Sequence, residues 1–265
     1  MAARYERAPG SSFECCFDVP RHPAPFWRND LPNASGALAT SACKPTRSQE
    51  AALWRAGFSA VAGLDEVGRG ALAGPVAAGA VILPPARRLS WLSGLRDSKQ
   101  LTSRRREEIA PRIKQTALAW GIGWAAAQEI DALGILPATR LAMRRAIAAC
   151  GVFPDYVLVD GRDRHDFGLP HRVLIRGDER VASIAAASVI AKVFRDGWMR
   201  DLDMLHHGYR FADNKGYATR AHRVALRRLG PCPCHRFSYE PVRSAADATL
   251  HWRWSLGSAT GSNVP

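Results

Sequence analysis

The chain has 265 residues, 47% of them apolar and 23% charged, with 37 Lys and Arg against 24 Asp and Glu. Collagen-like, low-complexity and disulfide-scaffold proteins are excluded by that composition. The longest nearly unbroken apolar stretch, Ala71 to Leu83, contains Pro75 and is too short to span a bilayer. Of the net charge of +13, residues 1–50 carry +1 and residues 244–265 carry none, so residues 51–243 hold +12. A folded domain with that excess suits a polyanion, because each phosphate it neutralises releases condensed counterions. A basic surface kept for solubility would give the same count.

Residues 1–47 hold six of the 17 prolines and no sustained hydrophobic period, which reads as a disordered extension with Phe26-Trp27 its one apolar point. Ser48 to Gly57 reads as a short helix with Ser48 as N-cap. Two apolar runs, Ser59 to Leu64 and Pro75 to Leu83, flank Gly68-Arg69-Gly70 and read as strand, glycine turn, strand. Ser103 to Thr116 is helical and basic, with a kink expected at Pro111. A third strand follows at Ala117 to Ala126, then a helix over Ala138 to Ala149. Strands at Tyr156 to Val159 and Arg172 to Ile175 precede a long helix, Val181 to Met199, and a basic one, Thr219 to Leu229. Residues 244–265 show no pattern and read as a flexible tail. Strands followed by helices in this order imply an α/β catalytic domain over 48–243 with a mixed central sheet flanked by helices.

The cysteines are Cys15, Cys16, Cys43, Cys150, Cys232 and Cys234. Met1 to Gly10 lacks an apolar core, so no secretory signal is read, and a reducing cytoplasmic setting is expected. Pro231-Cys232-Pro233-Cys234-His235 gathers two thiols and an imidazole. A structural zinc site needs four ligands, usually from two pairs, and no second pair stands out, so none is expected.

Four acids mark places where a buried strand emerges or a helix begins. Asp65 and Glu66 close an apolar strand, Asp160 ends the run Tyr156-Val157-Leu158-Val159, and Asp178 precedes the long helix. Taken singly, Asp178 would serve as a helix cap and Asp160-Gly161 as a turn. Taken together, clustered carboxylates repel unless cations lie between them, and hard divalent ions with oxygen ligands meet that need. Two such ions can promote phosphodiester cleavage. Gly68-Arg69-Gly70 permits close backbone approach to a ligand. Asp97-Ser98-Lys99 and Asn214-Lys215-Gly216-Tyr217 are polar loop clusters, with Tyr217 available to stack. On the long helix Ser188 and Lys192 share a face, with Arg195 a turn further on, as a phosphate track or a solvated face.

Together these segments resemble the ribonuclease HII family. The matching stretches are Gly63 to Gly70, Asp97-Ser98-Lys99, Val159-Asp160-Gly161 and Arg176-Gly177-Asp178. Then come Ser183 to Lys192, Lys215-Gly216-Tyr217 and His235-Arg236-Phe237-Ser238, in the family's order, the whole spanning Phe58 to Arg243. The resemblance implies a ribonuclease H-like fold with a small C-terminal helical region. It also implies an endonuclease that cuts 5′ to ribonucleotides in RNA–DNA hybrids, or singly embedded in duplex DNA, leaving 3′-OH and 5′-phosphate ends. On it, Asp65, Glu66, Asp160 and Asp178 hold two Mg²⁺ or Mn²⁺ ions. Gly68, Arg69 and Gly70 sense the ribose 2′-OH, Tyr217 stacks on the following deoxyribose, and Ser98, Lys99, Ser188 and Lys192 contact phosphates. A monomer is expected, with no membrane association and no protein partner specified. The alternatives are a hybrid-binding module without catalysis, against which the four acids speak, and a sugar-kinase-like ATPase, which leaves the dispersed positive charge without a role.

Overall fold

In a computed structural model of the chain, the structure describes residues 44–85, 87–95, 98–163 and 165–257. The expected disorder of the N-terminal extension up to residue 43, with Cys15, Cys16, Cys43 and Phe26-Trp27, lies outside the described residues, as does Asp97.

Five strands form one mixed sheet in the order β3-β2-β1-β4-β5. They are β1 (Val61–Val67), β2 (Val76–Ile82), β3 (Ala119–Ala125), β4 (Tyr156–Asp160) and β5 (His171–Leu174). β2 runs antiparallel to β1 and β3, whereas β4 runs parallel to β1 and β5. Helices are α1 (Ser48–Arg55), α2 (Ser103–Thr116), α3 (Ala127–Leu133), α4 (Ile135–Ala148), α5 (Gly177–Arg180), α6 (Ala182–Leu205), α7 (Phe211–Asn214), α8 (Arg220–Leu229) and α9 (Glu240–Gly257). Among the described residues, no helix is long and apolar enough to cross a membrane.

Strand alternation divides the core in two. Ala62 and Leu64 of β1 point with Val157 and Val159 of β4 toward α4, meeting Ala142, Met143 and Ala146. Val61 and Leu158 point the other way, toward Ile184 of α6. The remainder of α6 packs with α2 through Ala185, Ala186, Val189, Ile109 and Ile113. Glycines in the sheet let both helices approach closely. A Cβ at Gly63 would collide with the backbone of Ser183 on α6, and one at Gly123 with the backbone of Ala142 and Ala146 on α4.

Several boundaries differ from the sequence expectation. Ser48 is the first helical residue rather than the cap; the cap position is Arg47, whose side chain makes no capping bond. Arg47 instead donates to the carbonyls of Pro84 and Arg87, both at 3.1 Å. The ordered region also begins before residue 48, because Thr46 joins the start of α6: its N–H donates to Arg180 at 3.0 Å, and its carbonyl accepts from Ala182 at 2.9 Å. α2 continues through Pro111, and Thr102 caps it by accepting from the Arg105 N–H at 3.2 Å. α4 starts three residues early, with Pro137 in its first turn, where a missing N–H is not needed. The expected flexible tail is helical as far as Gly257, anchored by Val242 and Ala245 packing on Leu72 and Leu226.

The glycine contact at the centre of the sheet is directly testable. Gly63→Ala is expected to destabilise the protein by about 1–3 kcal/mol, as overpacking against rigid backbone does. Gly70→Ala, with open space around its Cβ, is expected to stay within about 0.5 kcal/mol of the parent in the same denaturant titration.

Candidate active site

The parallel pairing of β1 and β4 builds the site. Its register runs from Val61↔Tyr156 to Leu64↔Val159, and one further step sets Asp65 beside Asp160. Alternation turns both carboxylates to the α6 side, shared with Val61, Gly63 and Leu158, and sends Glu66 the other way. Asp178 lies in the first turn of α5, immediately beyond β5, and is buried. Asp160 Oδ1 accepts from the Gly177 N–H at 2.6 Å, which ties the β4 end to the turn carrying Asp178.

Asp65 is 5% exposed. Its Oδ1 accepts from the Glu66 N–H at 2.8 Å, and the Ser188 hydroxyl donates to it from α6. Burial pushes its carboxyl well above the usual aspartate range, and the negative charges of Glu66, Asp160 and Asp178 push it further. Glu66 is raised by burial too, partly offset by Arg69, and Asp160 raises it again. The four acids therefore act on one another as a cluster in a low-dielectric pocket. An all-oxygen donor set of this charge is chemically suited to hard divalent cations such as Mg²⁺ or Mn²⁺.

The glycine turn is fixed by two buried arginines. Arg236 donates to the carbonyls of Gly68 at 2.7 Å, Arg69 at 2.8 Å and Gly74 at 3.0 Å. Tyr239 Oη donates to the same Arg69 carbonyl at 2.8 Å. Arg195 donates to Pro75 at 2.9 Å, Lys215 at 2.9 Å and Ala73 at 3.3 Å. Gly68 has φ +91°, and a Cβ there would strike the Arg195 guanidinium. The Arg69 side chain lies between Glu66 (3.2 Å) and Asp163 (3.0 Å).

The other expected site residues divide. Tyr217 is half-buried, with the Arg195 guanidinium 5.4 Å from its ring centre. Lys99 is exposed, and its Nζ lies 3.6 Å from Asp178 Oδ2. Ser98 and Ser188 do not line an open track: both are buried, with their hydroxyls 2.7 Å apart, so they continue inward from Asp65. Lys192 donates to Asp196 at 2.6 Å, and Asp196 also meets the buried Arg106 at 3.4 Å. Arg195, expected on the same face as Ser188 and Lys192, is wholly buried. Asp163, Arg236 and Tyr239 were not singled out for these roles in the sequence. An acid three residues after Asp160 was the available signal for Asp163; nothing local marks the other two.

The fold is that of the ribonuclease H group. The ribonuclease H2 from Pyrococcus horikoshii OT3 superposes with a TM-score of 0.60 at 22% identity, covering 71% of this chain and 97% of that one. The structure of the PCNA:RNase HII complex from Archaeoglobus fulgidus gives 0.58 at 26% identity, covering 70% and 96%. Residues 62–242 match the family profile of Ribonuclease HII. The Ribonuclease HII of Moorella thermoacetica is 53% identical over 191 residues, 72% of this chain and 91% of that protein. The chain belongs to the ribonuclease HII family, and it is a nuclease.

Two variants probe the site's energetics. A raised Asp65 pKa means that the folded protein keeps a proton the unfolded chain has released. Metal-free stability should thus fall as pH rises from about 4 through the folded pKa. Asp65→Asn is expected to flatten that slope and raise the metal-free Tm at pH 7.5, by roughly 2–4 °C for each kcal/mol relieved; an unchanged or lower Tm would contradict the clustering. Arg236→Met should unfold at lower denaturant, costing about 3 kcal/mol, because it takes the guanidinium from three carbonyls and leaves that of Gly74 without its donor.

Proposed function

We propose that the chain hydrolyses the phosphodiester 5′ to ribonucleotides, in RNA–DNA hybrids and at single ribonucleotides embedded in duplex DNA, leaving 3′-OH and 5′-phosphate ends. Asp65, Glu66, Asp160 and Asp178 hold two Mg²⁺ or Mn²⁺ ions in this reading, and the observation that carries it is the buried all-acid cluster at the adjacent ends of β1 and β4. Bound there, divalent ions supply the positive charge that the attacking and leaving oxygens need.

The protein's own groups do the rest. The Ser98–Ser188 hydroxyl pair and the Glu66 N–H orient Asp65, while the Gly177 N–H orients Asp160. With the Gly68 and Arg69 carbonyls engaged by Arg236, recognition of the 2′-OH falls chiefly to the outward-facing backbone around Gly70. Tyr217 stacks on the deoxyribose after the ribonucleotide, its ring backed by Arg195. Lys99 and the row Arg220, Arg223, Arg227 and Arg228 on α8, all exposed, meet phosphates. Ser98 and Ser188 act as positioning residues instead. The protein works as a cytoplasmic monomer on hybrids and on ribonucleotide-containing duplex DNA.

The test is cleavage of labelled duplex DNA carrying one ribonucleotide, with Mg²⁺, Mn²⁺ or EDTA, beside all-DNA and long-hybrid duplexes. Metal-dependent scission 5′ to the ribonucleotide is expected. Asp160→Asn should lose at least about 10³-fold in rate, on the scale of removing a principal charge-stabilising group, yet keep most of its duplex affinity. Tyr217→Ala should lose selectivity for the junction more than affinity for plain duplex. Binding without cutting under either metal would make the protein a hybrid-binding module.

A further inference from the structure

We infer that Cys232, Cys234 and His206 form a second metal site, for a soft divalent cation of the zinc class. The three side chains come from separate parts of the fold: His206 follows the last residue of α6, and the cysteines lie in the loop between α8 and α9. Their ligand atoms all lie within 4.8 Å of one another. The sulfurs are 3.0 Å apart. An ion about 2.3 Å from each sulfur in tetrahedral geometry spaces them about 3.8 Å apart, so under about 1 Å of outward movement completes the site. Cys232 is buried while Cys234 and His206 are half-exposed, which leaves a solvent side for a water as fourth ligand. Two thiolates and an imidazole select zinc-class ions over magnesium, and no ligand is shared with the carboxylate cluster.

Hydrogen bonds order the surroundings of the two cysteines. His222 Nδ1 lies 2.9 Å from the Tyr217 carbonyl, which can only accept, so this nitrogen carries a proton. His222 Nε2 lies 3.1 Å from His235 Nε2. His235 Nδ1 accepts the Cys232 N–H at 3.0 Å and lies 3.1 Å from Cys232 Sγ. Such an ordered outer shell orients a metal-binding group. Tyr209 and Phe211 pack with Cys232 and exclude water on the inner side.

The loop is also tied to the glycine turn. The Cys234 carbonyl accepts from the Gly74 N–H at 2.8 Å, and Arg236, two residues on, holds Gly68 and Arg69. An ion here would cross-link the end of α6 to the strap that supports that turn.

The test uses the full chain, reduced and stripped of metal, titrated with Co²⁺ alone. The expected result is one equivalent showing sulfur-to-cobalt charge transfer in the near ultraviolet and the intense visible bands of tetrahedral cobalt, displaced by Zn²⁺ and unaffected by excess Mg²⁺. The charge-transfer band should be abolished or at least halved by Cys232→Ser and by Cys234→Ser, and the tetrahedral bands weakened by His206→Ala. It should persist in Cys150→Ser, in Asp65→Asn and in a variant with Cys15, Cys16 and Cys43 all changed to Ser. Should either cysteine variant fail to fold, His206→Ala read with the three-serine variant still decides. No thiolate-bound cobalt at micromolar concentration, a signal unchanged in all three ligand variants, or a protein whose Cys232 and Cys234 are isolated as a reducible disulfide that binds no metal after reduction would each overturn the proposal.

Discussion

Two fully buried guanidinium groups hold the end of the β1–β2 hairpin, and the candidate site is assembled around them. Arg195 and Arg236 are enclosed by the carbonyl oxygens of Gly68, Arg69, Ala73, Gly74, Pro75 and Lys215. Burying a charge costs several kcal/mol unless it is closely solvated. A chain segment whose carbonyls are divided between two such cations is therefore committed to one conformation. Burial lowers Arg195 to about 10, which leaves it charged at neutral pH. The turn cannot relax without stranding both the guanidinium and its acceptors, which is why Gly68 has no room for a side chain.

The carboxylates are held by a different set of constraints. Asp65, Asp160 and Asp178 are gathered by the backbone, through parallel register and a short helical turn, with Lys99 beside Asp178. The ordered serine pair behind Asp65 and the Gly177 N–H on Asp160 orient oxygens that repel one another. The arginines fix the turn through its carbonyls, and the acids are fixed by register, backbone N–H groups and the Ser188 hydroxyl.

How much of this was legible in the sequence follows from the range of each interaction. β1 and β4 were readable because an apolar run stopped by an acid is a local pattern, and α2 because both its ends matched. The residues of the acid cluster were identifiable for the same reason. By contrast, Ser98 and Ser188 are separated by 90 positions and Arg236 from Gly68 by 168. Their spacing on one helix suggested an exposed face for Ser188 and Arg195, but the hairpin closes over that face. α5 and α7, at four residues each, are too short to leave a period. α9 was hidden because its anchor residues, Val242 and Ala245, are few and act only through Leu72 and Leu226. His206, 26 residues before Cys232 in sequence, was likewise invisible as a companion to the cysteines.

The placement of arginines also changes what the net charge means. Composition treats every basic side chain in residues 51–243 as available to a polyanion, yet Arg106, Arg195 and Arg236 are buried and bonded to backbone. Among the exposed basic residues, those of α8 form a row of their own. α8 exposes four arginines and carries no acid, and it begins three residues after Tyr217. Exposed charge on α8 and the buried hydrogen bonds of Arg236 thus lie within one stretch of chain, the first open to screening by salt and the second shielded from it.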